Sequence, residues 1–317
     1  MKYHLAVDVG GTWLRAAVFP LGETTPARRE RIRTPRAGRP EAALVALLRE
    51  LWPTDGEVLG IGVASPGPLD PSRGVILATP NIPAWRDFPL AAYLQDAFGV
   101  PVAVDNDANL AALGEWRYGA AQGHHDVLYL TVSTGIGAGV IVNDRLLHGA
   151  HGLAGELGHI PILPDGPLCG CGQRGHLEAV ASGTAIARAA SEALAAGEIS
   201  SLASLSAPPT AADVASAAHA GDALARRILA EAAGHLGRAL AGFLHIFNPS
   251  IVILGGGVVQ AGEVFLSPME AALRAAVMHP AYLDGLTLTT AALGDDAGLL
   301  GALALARAQR PDTAAFG

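Results

Sequence analysis

The stretch YHLAVDVGGTWLRAAVF, residues Tyr3 to Phe19, joins two apolar segments through a Gly-Gly turn. Segments rich in β-forming residues on either side of glycine predict a β-hairpin. A second stretch, VLYLTVSTGIGAGVIVNDRLL from Val127 to Leu147, repeats this plan when Asp8 is aligned with Ser133, an offset of 125 residues. The repeat indicates an internal duplication whose period is too long for a solenoid.

Helical and strand patterns alternate through the rest of each half. Helical patterns cover Pro40 to Trp52, Pro89 to Phe98, Ser182 to Ala196 and Ala223 to Phe247. The segment PSIVILGGGVV, Pro249 to Val259, predicts a buried strand that runs into a third glycine turn. This alternation predicts an α/β fold with a mostly parallel sheet in each half. A domain junction is expected near Tyr118 to His124, where a helix ends in glycine.

The composition narrows the class of protein. Half of the 317 residues are hydrophobic, which is enough to bury a sizeable core. The net charge of -8 argues against a protein that binds nucleic acid or an anionic membrane by charge. No apolar run approaches the roughly 18 to 20 residues of a membrane span. With two cysteines and no export signal, the expected compartment is the reducing cytoplasm.

The scarcity of lysine excludes several kinds of chemistry, because Lys2 is the only lysine in the chain. The nucleotide-binding P-loop needs a lysine that reaches the phosphates, and protein kinases place one on a strand. Schiff-base chemistry on a buried lysine is excluded as well. If this protein binds ATP, it does so through another architecture.

Glycine turns occur at three strand ends. Because glycine has no Cβ and adopts positive φ at little cost, such turns let a phosphate approach backbone N–H groups. One such turn could be a plain hairpin, but Asp8 and Thr12 flank the first, and Ser133 and Thr134 open its duplicate. We therefore predict phosphate contacts from these turns, whose glycines are Gly10, Gly11, Gly135, Gly137, Gly255, Gly256 and Gly257. None has the spacing of a dinucleotide-binding fingerprint.

The segment VAVDNDANLAALGEW, Val102 to Trp116, predicts a strand that delivers Asp105, Asn106 and Asp107 at the start of a helix. Asp and Asn are common helix N-caps, but one cap does not need three such residues. A carboxylate here is kept ionised by the helix N-terminus and lies beyond a strand end, where open α/β folds bind ligands. Asp107 is therefore a candidate to orient a hydroxyl and take its proton during phosphoryl transfer.

The two cysteines, Cys169 and Cys171, are one residue apart, with His159 ten residues before and His176 five residues after them. Two thiolates and two imidazoles are ligands that zinc takes, and a structural zinc site has all four positions filled. A disulfide between them would close a small strained ring, and catalysis by a free thiol stays open. The spacing favours zinc among these alternatives.

Taken together, these motifs resemble the ROK family (repressors, open reading frames and sugar kinases). The matching motifs run nearly end to end: Asp8 to Thr12, Asn106 to Asn109, Ser133 to Gly139, Gly152 to His159, Cys169 to Ala179, and Leu254 to Val258. The resemblance implies an α/β, two-domain actin-like ATPase (ribonuclease H-like) fold with a duplicated core and an active site in the interdomain cleft. It implies a small domain at 1–118, a large domain with the zinc loop at 119–297, and a closing helix, 298–317, packed on the small domain.

The resemblance also implies roles for individual residues. Asp107 matches the base that deprotonates the sugar 6-hydroxyl, Asp8 would organise Mg²⁺ through water, and Mg²⁺ would substitute for the missing lysine. The groups matching sugar contacts are Gly67, Asn81, Asn106, Asp107, Glu156, His159 and Glu178. Thr12, Thr134 and the glycine turns would hold the phosphates. The sequence departs from the commonest family pattern at His176, where a third cysteine is expected.

The activity implied is an ATP-dependent hexose kinase, with glucose as the first candidate. N-acetylmannosamine, N-acetylglucosamine, fructose and allose are alternative sugars, and polyphosphate is an alternative donor. A sugar-responsive repressor of the same family is disfavoured, because Asp8 leaves no room for a preceding helix-turn-helix and the net charge is acidic. A homodimer or homotetramer is expected. We assign no chemical role to the remaining histidines, His148 among them.

Overall fold

The computed structural model describes residues 1–35, 38–79 and 82–309, and two five-stranded sheets form its core. The first contains, in spatial order, β3 (Arg28–Arg33), β2 (Trp13–Pro20), β1 (Lys2–Val9), β4 (Glu57–Ser65) and β7 (Val102–Asn106). The second contains β10 (Arg145–Leu146), β9 (Ile136–Val142), β8 (Val127–Val132), β11 (Ile251–Gly255) and β12 (Thr287–Thr290). A separate ribbon is formed by β5 (Leu69–Asp70) and β6 (Val75–Ile76).

The two sheets repeat one topology, which confirms the predicted duplication. Each begins with a hairpin, β1–β2 or β8–β9, whose second strand pairs with a strand at the outer edge. The first strand of each hairpin then pairs with β4 or β11, which pairs in turn with β7 or β12. The glycine turns of the two hairpins therefore occupy equivalent places.

The expectation of mostly parallel sheets is wrong, because each sheet is mixed. In the first sheet β1 pairs antiparallel with β2, and β2 with β3, whereas β1–β4 and β4–β7 are parallel. The reason is the length of the connections. A tight glycine turn can only join antiparallel neighbours, while a parallel neighbour needs a crossover of a dozen or more residues, usually a helix.

Nine α-helices lie in the described part of the chain. They are α1 (Pro40–Leu51), α2 (Leu90–Phe98), α3 (Asp107–Tyr118), α4 (Leu177–Ala181), α5 (Gly183–Ala195), α6 (Ala211–His219), α7 (Ala223–Phe247), α8 (Glu263–Ala276) and α9 (Ala297–Ala308). The four helices predicted from periodicity are α1, α2, α5 and α7. Within the described residues no helix is both long and apolar enough to cross a bilayer.

Helices α3 and α9 form a closely packed pair between the sheets. A Cβ at Gly301 would lie 1.7 Å from the Leu110 carbonyl oxygen, and one at Gly114 would lie 2.4 Å from that of Ala297. Helix α9 also packs on the first sheet, where a Cβ at Gly62 of β4 would lie 1.9 Å from the Ala302 oxygen. These contacts need glycine because only its missing side chain lets two backbones approach so closely.

The predicted closing helix at 298–317 begins one residue earlier, at Ala297, and is described to Ala308. Residues 310–317 lie outside the described residues. The segment between α3 and β8 includes the expected domain junction, and the division at 118/119 stays a prediction.

Candidate active site

Asp107 opens helix α3 directly after β7, and its neighbour Asn106 is the N-cap. The Asn106 side-chain oxygen accepts hydrogen bonds from the backbone N–H groups of Ala108 (2.9 Å) and Asn109 (3.2 Å). The capping role is therefore filled by Asn106. The Asp107 carboxylate accepts only from its neighbour Ala108 N–H (2.8 Å) among the described partners and is open to the cleft.

The pKa of Asp107 is raised from its ordinary range to about 6. The main cause is desolvation, because the walls of the cleft displace water around a side chain that is still reachable from solvent. The negative charges of Asp8 and Glu156 raise it further, and the Ala108 hydrogen bond opposes them. A carboxylate in this range is ionised at neutral pH and is more basic than a surface aspartate, which suits a general base.

A cavity of about 690 Å³ adjoins Asp107 and is lined by the first and third glycine turns and by Ser133 of the second. The predicted residues on its walls are Asp8, Gly10, Gly11, Thr12, Asp107, Ser133, Gly255, Gly256 and Gly257. The third turn is fixed against the end of β8, since Gly256 has φ +91° and its Cβ would lie 2.4 Å from the Val132 oxygen. Turns from both halves of the duplication therefore line one cavity.

Three of the predicted phosphate contacts, Thr134, Gly135 and Gly137, are not among the residues that line this cavity. A Cβ at Gly135 would lie 2.4 Å from Glu178 Oε2, and one at Gly137 would lie 3.0 Å from the Ala108 Cβ. Close packing against Glu178 and Ala108 therefore explains why these two positions are glycine. The Thr134 carbonyl accepts a hydrogen bond from the Thr184 hydroxyl at 2.8 Å.

Asp8, at the end of β1, is buried and pairs with Arg15 of β2. Burial raises the pKa of Asp8, while the Arg15 charge opposes the shift. Arg15 also donates to the Asp295 carbonyl at 2.8 Å, so its guanidinium is held from two sides. Arg15 contacts Asp8 through Oδ2, and Oδ1 is left for a further partner. A carboxylate oxygen beside the glycine turns fits Mg²⁺, which prefers oxygen ligands.

On the other side of Asp107, polar groups from separate segments converge. A Cβ at Gly67 would lie 3.2 Å from Asn106 Nδ2 and 4.0 Å from Glu156 Oε1, so the three residues are neighbours. Glu156 Oε2 lies 4.0 Å from His159 Nε2. These are the kinds of donors and acceptors that pair with sugar hydroxyls. The predicted contact Asn81 lies outside the described residues.

Glu178, another predicted sugar contact, is engaged within the protein. Its Oε2 accepts a hydrogen bond from the Ile136 backbone N–H (3.0 Å), and its Oε1 lies 3.5 Å from Cys169 Sγ. Through these two contacts Glu178 connects α4 with the start of β9 and with the segment that carries Cys169.

The structure brings His159, Cys169, Cys171 and His176 together, with one ligand atom of each within 4.8 Å of all the others. His159 Nδ1 lies 3.6 Å from Cys169 Sγ, and His176 Nδ1 lies 3.2 Å from Cys171 Sγ. Both cysteines are free. The close approach of two thiols and two imidazoles fits a metal site.

The turns of this segment explain how distant residues meet. The Gly172 N–H donates to the Cys169 oxygen (2.9 Å) in a tight turn between the two cysteines. The chain then folds back beside Ile162, whose N–H donates to the Gly175 oxygen (2.9 Å). At Gly175 φ is +72° and a Cβ would lie 1.8 Å from the Leu163 oxygen, so only glycine fits.

Sequence reasoning missed the role of His148. Its Nε2 donates to Asp105 Oδ2 at 2.7 Å, and the Asp105 carboxylate is almost fully buried. Asp105 Oδ1 accepts from the Asn106 N–H (2.7 Å) and from Asn109 Nδ2 (3.1 Å). The pair therefore connects the start of α3 with the loop that leads from β10 to Glu156. The triplet Asp105-Asn106-Asp107 hinted at a further partner, but nothing local identified His148.

We expect this pair to give stability a distinct pH dependence. The hydrogen bond to Asp105 raises the pKa of His148 above its ordinary 6.5, so the imidazolium is favoured in the folded state. Its contribution is complete below pH 6.5 and is lost as the pH rises through the folded-state value. Between pH 6 and 8 the thermal midpoint should therefore fall more for the wild type than for His148→Gln. Parallel curves would contradict this role, and His151→Gln serves as a control.

Two sheets of the same topology, with a cavity lined by turns from both and an acid at the start of α3, are typical of phosphate-transferring enzymes of the actin-like fold. The model of the ROK family matches residues 4–309, and the chain belongs to the ROK family.

Among its relatives, a glucokinase from Halalkalibacterium halodurans is 38% identical over 95% of this chain and 93% of its own length. The crystal structure of a ROK hexokinase from Thermus thermophilus is 40% identical with a TM-score of 0.81, covering 96% of this chain and 98% of that one. A ROK family glucokinase from Streptomyces griseus, crystallised with glucose and AMPPNP, is 36% identical with a TM-score of 0.81, covering 96% and 99%.

Proposed function

We propose that this protein is an ATP-dependent glucose kinase that produces glucose 6-phosphate and ADP. The observation that carries the proposal is the position of Asp107. It lies on the wall of the cavity lined by the glycine turns and directly follows Asn106, which neighbours Gly67 and Glu156. The relatives described as glucokinases, one of them crystallised with glucose and an ATP analogue, support this assignment.

The mechanism follows from this placement. Asn106, Glu156 and His159 bind the sugar hydroxyls, and Asp107 accepts the proton of the 6-hydroxyl as its oxygen attacks the terminal phosphorus. The bond from that phosphorus to the bridging oxygen breaks, and ADP leaves with the electron pair. Backbone N–H groups of the glycine turns orient the phosphates. Asp8 would hold Mg²⁺, and the ion would neutralise charge on the phosphate oxygens.

The choice of sugar is tested by a panel of hexoses in a coupled ADP-release assay. Glucose should give the highest kcat/KM among glucose, fructose, allose, mannose, N-acetylmannosamine and N-acetylglucosamine. A higher value for another sugar would make that sugar the assigned substrate and would leave the kinase assignment unchanged. Absence of turnover with every sugar would favour a sugar-sensing regulator. Replacing ATP by polyphosphate in the same assay tests the alternative donor.

We also propose that His159, Cys169, Cys171 and His176 hold a structural zinc ion. Tetrahedral zinc, with bonds of about 2.0 to 2.3 Å, places its ligand atoms roughly 3.3 to 3.8 Å apart. The distances of 3.6 Å and 3.2 Å across the two His-Cys contacts are close to this range, and all four ligand atoms lie within 4.8 Å of one another. His159 would bind the ion through Nδ1, and its Nε2 lies on the side of Glu156. The ion would fix the segment that carries Glu156, His159 and Glu178, the residues proposed to form the sugar side of the site.

Purified protein should contain about one zinc per chain, measured by elemental analysis. His176→Ala should lose the metal and lower the thermal midpoint, because one of four ligands is gone, whereas His176→Cys should retain zinc. His151→Ala, at an exposed histidine outside the cluster, is the matched control. A wild type that is free of zinc, or unchanged metal content in His176→Ala, would contradict the site.

The oligomeric state and the cytoplasmic location remain predictions. Size-exclusion chromatography with light scattering tests the expected dimer or tetramer.

A further inference from the structure

Strand β3 concentrates positive charge beside the cavity. Four of its six residues are arginine, in a chain whose net charge is -8. Side chains alternate between the faces of a strand, and Ile32 packs in the hydrophobic core of the first sheet. Arg29, Arg31 and Arg33 therefore share the opposite face.

Of these three arginines, Arg31 is the one that lines the cavity. In the register of the sheet, Arg31 pairs with Arg15, and Arg15 pairs with Asp8. The three side chains thus form one row across β3, β2 and β1, beginning at the edge strand and ending beside the glycine turn. This row lies on the wall where the phosphates of the proposed nucleotide would lie.

Arg31 has no carboxylate partner within 4.0 Å among residues 1–35, 38–79 and 82–309. Arg15, the other arginine on the cavity wall, is committed to Asp8 and to the Asp295 carbonyl. The single lysine, Lys2, does not line the cavity and lies 3.9 Å from Glu57. Among the described residues that line the cavity, Arg31 is therefore the cation whose charge no carboxylate offsets.

Trp13 orients the Arg31 side chain. The Arg31 guanidinium carbon lies 4.7 Å from the centroid of the Trp13 ring. A cation–π contact orients a guanidinium without neutralising it, and the N–H groups in the guanidinium plane can still donate to other partners. Arg33 contacts the same ring at 4.2 Å but does not line the cavity.

We propose that Arg31 binds the phosphate chain of the nucleotide and supplies the fixed positive charge that a lysine provides in other nucleotide sites. This rests on the proposed kinase function. The guanidinium offers parallel donors that match two phosphate oxygens. It complements Mg²⁺, because its charge is covalently part of the protein and is present before the nucleotide binds. Arg31 is thus a donor-binding residue, and no role in taking the sugar proton is assigned to it.

The test compares Arg31→Gln with Arg33→Gln, which removes the same charge from the same ring outside the cavity. For Arg31→Gln we expect the Kd of MgATP, measured by calorimetry, to rise about tenfold or more, as for loss of a hydrogen bond between charged groups. The inhibition constant of adenosine, which has no phosphate, should change less than about twofold. Arg33→Gln should leave both constants near those of the wild type, and Arg31→Lys should restore part of the MgATP affinity.

Equal effects of the two substitutions on MgATP would overturn the proposal, as would equal weakening of MgATP and adenosine by Arg31→Gln. Unchanged thermal midpoints and unchanged sugar binding identify the effect as local. A wild type that does not bind MgATP at all would overturn the proposed kinase itself, so the two failures are distinguishable.

Discussion

Asp107→Asn should lower kcat about a thousandfold, in the middle of the range of about 10² to 10⁴ that a positioned general base contributes. The amide keeps the shape of the side chain but cannot accept the proton of the sugar hydroxyl. KM for ATP and for glucose should change little, because the glycine turns and the sugar contacts are intact. The coupled assay for glucose 6-phosphate measures all three constants.

The control is Asp96→Asn, on the exposed surface of α2, which should retain wild-type rates. A variant at position 107 with more than a tenth of the wild-type kcat would rule out Asp107 as the base. The pH profile provides a second check. Because the pKa of Asp107 is about 6, kcat/KM of the wild type should fall tenfold per unit below that pH, and the residual activity of the variant should not follow this curve.

The same substitution should leave the fold intact or more stable. A raised carboxyl pKa means that the folded chain binds the proton more tightly than the unfolded chain. Stability is therefore lost as the pH rises from the ordinary value of 3.8 through about 6. At pH 7.5 the neutral amide removes the repulsion from Asp8 and Glu156, and the thermal midpoint of Asp107→Asn should equal or exceed that of the wild type. A lower midpoint would mean that the loss of activity comes from a destabilised fold and not from the missing base.

Gly301→Ala should destabilise the protein by about 3 kcal/mol or more, at or beyond the upper end of typical overpacking effects. The added Cβ would lie 1.7 Å from the Leu110 oxygen on α3, so the two helices must separate. Both α3 and α9 are regular helices with little freedom to adjust locally. Thermal or urea unfolding measures the loss, and kcat should fall with it because α3 carries Asp107.

Gly242→Ala in α7 is the matched control, because it makes the same change inside a helix where nothing lies within 4 Å of the new Cβ. There alanine should stabilise by about 0.5 to 1 kcal/mol, the ordinary preference for alanine over glycine in a helix. The two substitutions are thus expected to have opposite signs. Stabilisation by Gly301→Ala would mean that α3 and α9 are not in close contact.

Local features of the fold were predictable from the sequence because periodicity and glycine turns act over a few residues. The two hairpins and helices such as α7 are of this kind. The mixed direction of the sheets followed from the same hairpins and was missed by weighing strand–helix alternation alone. The four groups of the proposed zinc site lie within eighteen residues, so spacing was sufficient to predict that they would meet.

Contacts between distant segments could not be predicted in this way. Asp105 and His148 are 43 residues apart and meet only when the two halves of the chain face each other. Arg31 is one of several arginines in the sequence, and only the register of β3 against β2 places it on the cavity wall. Asp8 was expected to serve magnesium alone, whereas its contact with Arg15 depends on the pairing of β1 with β2.

The repeated topology gives the cavity two unlike walls. The first copy of the unit contributes the glycines of its hairpin turn, whereas the second contributes Ser133 of its hairpin and the glycines that follow β11. One copy alone would leave the opposite side of a phosphate chain open to water, so both copies are needed to enclose it. The copies also differ in charge, because the first has an acid at Asp8 and the second has Ser133 at the aligned position. A symmetric scaffold can thus distinguish the two ends of one phosphate chain.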